Sequence, residues 1–213
     1  MIQLPNKRKG LLHLTPLFGT IVFGVMYIVA TLLYPGGSQA DKNSIGFSWT
    51  DNYWCNLLNE NAINGQSNPA KPVAMTAMCI LCLALSLFWV LFPIHLAINK
   101  KLKTAIQLSG VLGMSMACLL PTALNHDMVI NLAFLFGSVA LVGTFIGIYK
   151  SRWFALFVFG ILNILLVGLN NYVYYTKGMI IYLPLIQKIS FAAFLTWICC
   201  IDIQLFRLAK IKR

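Results

Sequence analysis

Acidic residues are scarce in this chain. Five of its 213 residues are Asp or Glu, and charged residues of both signs make up only 10%. Soluble domains carry about 25% charged residues, so the shortfall excludes an ordinary water-soluble globular enzyme. A disordered chain is excluded as well, because disorder needs low hydrophobicity and high charge, and 59% of these residues are hydrophobic. Histidine is rarer still, with three copies at positions 13, 95 and 126. Barrel strands alternate polar and apolar residues over about 10 positions, and no such alternation runs through the apolar stretches. No internal repeat and no soluble domain is visible.

What the chain has is long apolar runs. A helix crosses a bilayer core of about 30 Å with about 20 mostly apolar residues. Six stretches qualify: 11–34, 73–98, 105–124, 128–149, 153–175 and 183–206. The fold expected is therefore an all-α integral membrane protein, a six-transmembrane-helix bundle forming a single transmembrane domain over 1–213. The basic start, the apolar run and Ser38-Gln39-Ala40 imitate a signal peptide, but a signal core is about 7–15 residues. The first run is longer and reads as an uncleaved helix.

The net charge is +11. In a membrane protein such a surplus encodes orientation. Lys7, Arg8, Lys9, Lys100, Lys101, Lys103, Lys150, Arg152, Arg207, Lys210, Lys212 and Arg213 fall on one side of the alternating spans. Only Lys42, Lys71 and Lys177 fall on the other, with Lys188 inside the sixth span. Twelve against three places both termini in the cytoplasm of a prokaryotic plasma membrane. The basic clusters are short and abut spans, which reads against nucleic acid as a partner.

Packing in lipid relies on small residues and polar links. Ser109, Gly113 and Ala117 form one small-residue face, and Gly143 and Gly147 another. Pro93 and Pro121 should kink or open helix ends, whereas Pro184 suits a first turn. Trp153, Tyr172, Tyr174, Tyr175 and Tyr182 read as interfacial anchors.

The one long connection is the first outer loop, 35–72. Within it Trp49, Tyr53, Trp54, Leu57 and Leu58 recur at helical spacing. Ser48 followed by Asp51 resembles a cap, and Gly65 is a stop signal. The spacing predicts a short amphipathic helix with Asp51, Asn52, Asn56 and Glu60 on its polar side. Its apolar side would lie on the bundle or in the headgroup layer.

Tyr34-Pro35-Gly36, then Gly46-Phe47-Ser48-Trp49 and Asn52-Tyr53, give this loop its character. It resembles the prokaryotic membrane family labelled domain of unknown function 998, itself loosely similar to the Frag and DRAM-like multi-span proteins. That family's motif continues Asn-Tyr-x-Ser-Asp-Leu-Gly. Asn52, Tyr53 and Leu57 match it, while Cys55, Asn56 and Leu58 stand at the serine, aspartate and glycine positions. The resemblance implies a six-span fold and no established chemistry.

Polar residues inside a membrane are costly and mark function by default. Asn125, His126 and Asp127 form the turn between the third and fourth spans. Asn163 and Asn170 share a face of the fifth. Lys188 starts about 8 Å into its helix, where it either snorkels to headgroups or pairs with Asp127 or Asp51. Asp51, Asn52, Tyr53, Trp54, Asn125, His126, Asp127, Asn170 and Lys188 together outline a polar cup under the loop helix. The partners implied are membrane lipids, through a headgroup, or a small polar or amphipathic ligand. The sequence leaves the oligomeric state open and implies no cofactor.

Two rival classes remain. His126 beside Asp127 has the elements of an acid/base pair for lipid chemistry, although no activated nucleophile lies near. Asp202 with Lys188 suits a small proton-coupled transporter, although no inverted repeat is visible. A zinc site is disfavoured, because His13 and His95 fall on the inner side and His126 on the outer. Cys79-Ile80-Leu81-Cys82 is a Cys-x-x-Cys within a span. Quinone-linked thiol oxidoreductases of the vitamin K epoxide reductase kind pair such a motif with loop cysteines. Here Cys55 is the single loop cysteine, and Cys118, Cys199 and Cys200 read as packing.

Overall fold

The computed structural model describes residues 12–120 and 126–211. Six long helices account for most of them: α1 (Thr15–Leu33), α2 (Ala70–Leu91), α3 (Lys100–Leu119), α4 (His126–Lys150), α5 (Phe154–Tyr175) and α6 (Leu183–Ile211). Each contains a stretch long and apolar enough to cross a membrane. The architecture is the all-α six-helix membrane bundle expected. The described residues contain no strand, only isolated antiparallel bridges at Gly36–Ile45 and Asn61–Ser67.

Capping explains why the helix ends depart from the hydropathy limits. α2 begins at Ala70 because the Asn68 side chain accepts from Ala70 N at 3.1 Å, satisfying one of the donors that a helix start leaves open. The Asn99 side chain accepts from Leu102 N at 2.8 Å, so α3 starts at Lys100 rather than at the first apolar residue. Pro93 does not merely kink α2. The chain passes into a 3-10 turn over Phe92–His95, with the proline in its first positions. Pro184 sits in the first turn of α6, as its missing N–H suits. Pro121 lies outside the described residues.

The chain divides into two compact units. One, the loop unit, comprises Val22–Met78 and Gly160–Thr196. Its core holds Phe23, Tyr27, Leu57, Ala70, Ala74, Ala77 and Val173. The other comprises Met1–Ile21, Cys79–Phe159 and Trp197–Arg213. Its core holds Phe88, Phe92, Ile106, Ile148, Trp197, Ile198 and Leu205. Here α2 and α3 meet closely at Gly110, where a Cβ would overlap the Trp89 ring. Of the expected small-residue positions, Gly113 approaches the Gly137 backbone, while Gly143 lies against the Ile106 side chain and Gly147 against those of Leu96 and Phe92.

Candidate functional site

The loop after α1 is a folded element built on buried asparagines. Gly37 N donates to Ser44 O at 2.8 Å and Gly46 N to Pro35 O at 3.2 Å, forming a short hairpin-like pairing. Gly37 is required there: its φ is +83°, and a Cβ would strike the backbone of Ile63 and Asn64. Asn52 is fully buried. Its Nδ2 donates to Gly37 O at 2.8 Å and its Oδ1 accepts from Ser48 N at 2.7 Å. Asn68, also buried, donates to the carbonyls of Asn56, Leu57 and Asn59 while it caps α2. Tyr34 ties the far side, its hydroxyl accepting from Ile63 N at 3.0 Å. Buried polar groups are tolerated when so satisfied.

The expected amphipathic helix is much shorter than its spacing suggests. The observed element is a 3-10 turn over Trp54–Leu58, and Gly65 belongs to a later turn. Ser48 and Asp51 do form a cap-like pair, with Asp51 N donating to Ser48 Oγ at 3.2 Å. No α-helix follows it, because Asn52 turns inward and takes Ser48 N. Asn52 and Asn56 are therefore not on a polar face: both are buried and hold the loop together.

Lys188, on α6, meets this loop. Its ammonium donates to the main-chain carbonyl of Asn52 and to Pro184 O at 3.0 Å. The residue is 8% exposed, and Nζ stands 5.6 Å from the centre of the Phe47 ring. Among the described residues it pairs with no carboxylate, and the one ion pair there is Lys71–Glu60; the Asp127 side chain lies outside them. Asp51 instead accepts from the hydroxyls of Ser48 at 2.6 Å and Thr50 at 2.7 Å. These bonds, more than the distant charge of Lys188, hold its carboxyl below the usual carboxylate range.

Trp54 packs against Tyr27 at 5.0 Å, Phe191 at 5.4 Å and Phe23 at 6.1 Å between ring centres. Tyr53 is half-buried. Burial first, and then Cys55 and Tyr174, push its phenol upward. Asn170 donates to Leu166 O at 2.8 Å and to Ser190 Oγ. Among the described residues of the loop unit, Trp54 Nε1, Asn56 Oδ1 and Asn170 Oδ1 are buried without a hydrogen-bond partner.

Asp51, Asn52, Tyr53, Trp54, Asn170 and Lys188 thus all belong to the loop unit. Asn125 lies outside the described residues. His126 and Asp127 open α4 rather than forming the turn before it, and their side chains lie outside the described residues. Sequence reasoning missed Asn68, Phe47 and Ser190. Asn68 had a signal: it stands two residues before the first residue of a helix, in a run ending Asn-Pro-Ala.

In the other unit, the Nε2 atoms of His13 and His95 lie 2.8 Å apart, with ring centres 4.6 Å apart. Burial, and then the neighbouring His95, push His13 down to about 4. No cluster of three or more metal-ligating side chains occurs among the described residues.

Fold and loop together define a six-span membrane protein with a compact, asparagine-stapled loop. Comparison with protein-family models, curated proteins and solved structures finds no match.

Proposed function

We propose that this is a multi-span membrane protein that takes a phospholipid headgroup at Lys188 beneath its folded loop. One observation carries the reading. A nearly buried ammonium is held by carbonyl oxygens alone, with no carboxylate at ion-pair distance among the described residues. An ammonium has three donors, so one remains for a phosphate oxygen. Burying a charge without a countercharge is costly, and a phosphate supplies that countercharge. Trp54 Nε1 and Asn170 Oδ1, in the same unit, are buried without a hydrogen-bond partner. Phe47 lies over Lys188, with its ring centre 5.6 Å from Nζ, and would have to move to admit a headgroup.

The orientation reading is supported by how the basic residues divide. Lys100, Lys101, Lys103, Lys150, Arg152 and Arg207 belong to one unit, and Lys42, Lys71, Lys177 and Lys188 to the loop unit. The first group faces the cytoplasm of a prokaryotic plasma membrane, with both termini, and contacts anionic lipids at about 1 kcal/mol per residue. The test is the phosphate content of protein extracted from its own membrane and washed in detergent. About one mole per mole of protein is expected for the native chain. Bare protein, or lipid content unchanged by Lys188→Met, overturns the reading.

A second reading, proton-coupled transport, rests on Asp202. It is 1% exposed on α6, and its Oδ2 has no partner. Intramembrane carboxyls mark proton routes. Proton uptake into vesicles that Asp202→Asn abolishes would support it, and uptake equal in both would remove it.

A further inference from the structure

The Cys-x-x-Cys of α2 has a third thiol beside it. Cys118, the second-to-last residue of α3, places Sγ 3.7 Å from Cys79 Sγ. Cys82, one turn along α2, is buried. All three belong to one unit. Sequence reasoning treated Cys118 as packing and looked for a second loop cysteine. The partner comes from the neighbouring helix instead.

We infer that Cys79 and Cys118 are a redox-active dithiol, oxidised to a disulfide by a membrane quinone. The two sulfurs are within about 2 Å of the S–S bond length of about 2.05 Å, and they belong to different helices, so a small sidechain rotation or helix shift joins them. Cys79 is exposed on the surface of a span, which faces lipid when the helix lies in a bilayer. The oxidant must therefore be soluble in the hydrocarbon phase and take two electrons with two protons, which is quinone chemistry.

The step balances. The S–H bonds of Cys79 and Cys118 break and one Sγ–Sγ bond forms. Two electrons and two protons pass to the quinone, whose two carbonyl oxygens become quinol hydroxyls. Cys55, Cys199 and Cys200 take no part.

The test uses the full chain in phospholipid vesicles under nitrogen, with a short-chain benzoquinone as oxidant. Alkylatable thiols should fall from the six of the sequence to four. One quinol should appear per disulfide, and peptide mapping should find Cys118 joined to Cys79. Cys118→Ala should lower quinol formation to the protein-free rate, whereas Cys199→Ala should leave it unchanged. Cys79→Ser, at an exposed position that tolerates replacement, should abolish it independently. Six thiols remaining, a disulfide that excludes Cys118, or quinol formation unchanged in Cys118→Ala overturns the inference.

Discussion

The Lys188 ammonium donates to the main-chain carbonyl of Asn52, a residue 136 positions earlier in the chain. Asn52 in turn holds Gly37 and Ser48 through its side chain. One cation on α6 therefore fixes the centre of a loop whose own side-chain hydrogen bonds, from Tyr34–Ile63 to Asn68–Ala70, close within the loop and the helix ends that flank it. A hydrogen bond to a charged group contributes about 1.5–3 kcal/mol. Lys188→Met, similar in volume, should raise amide hydrogen exchange across 47–54 by about tenfold to a hundredfold. Exchange in the middle of α4 should not change. Equal protection of the loop in both proteins would show that Lys188 is not its anchor.

Asn68 allows a sharper chemical test. Its Nδ2 faces three carbonyl oxygens while its Oδ1 caps α2. Asn68→Ala loses both roles and should cost about 1–3 kcal/mol. Asn68→Asp keeps the cap but sets an anionic oxygen against the carbonyls. It should be at least as damaging as alanine at pH 7 and recover when the carboxyl is protonated near pH 4. Thermal unfolding in detergent at the two pH values reads this directly, and an aspartate variant as stable as the native chain at pH 7 would contradict it.

His13 should make stability depend on pH. Its pKa falls from the ordinary 6.5 to about 4 on folding, through burial and the neighbouring His95. Between those values the unfolded chain binds more protons than the folded one, so stability rises with pH there. The contribution is complete above about pH 6.5 and is lost as pH falls toward 4. Melting temperatures from pH 7.5 to 4.5 should drop more for the native chain than for His13→Gln. Parallel curves would remove His13 as the cause.

Glycine positions differ in what they tolerate. Gly110→Ala drives a methyl into the Trp89 ring, whereas nothing lies within 4 Å of a Cβ on Gly168. Overpacking costs about 1–3 kcal/mol, so Gly110→Ala should lower the melting temperature clearly and Gly168→Ala should not. Equal effects would mean that α2 and α3 do not approach at this point.

The six spans were legible because apolar runs of that length have few alternatives. The ends were less so. α6 continues to Ile211, five residues beyond the expected limit at 206, because a helix that has left the apolar layer continues through Arg207 and Ala209 without needing hydropathy. The loop was misread for a related reason. Asparagine carries donor and acceptor on a short side chain, so Asn52 and Asn68 serve a buried backbone as well as they serve water, and composition does not tell the two uses apart. Lys188 was legible as a cation within a span, its partner was not: a main-chain carbonyl leaves no mark in the sequence. The meeting of Cys79 with Cys118, and of His13 with His95, depends on which helices pack together, which periodicity does not specify.

The most direct measurement is native mass spectrometry of the protein released from nanodiscs of phosphatidylethanolamine and phosphatidylglycerol, comparing the native chain with Lys188→Met and Lys188→Arg. The expected result is one phospholipid retained by the native chain and by the arginine variant, which keeps the charge, and lost from the methionine variant while its helix content stays the same. Equal retention in all three proteins, or none in any, would contradict a headgroup bound at Lys188.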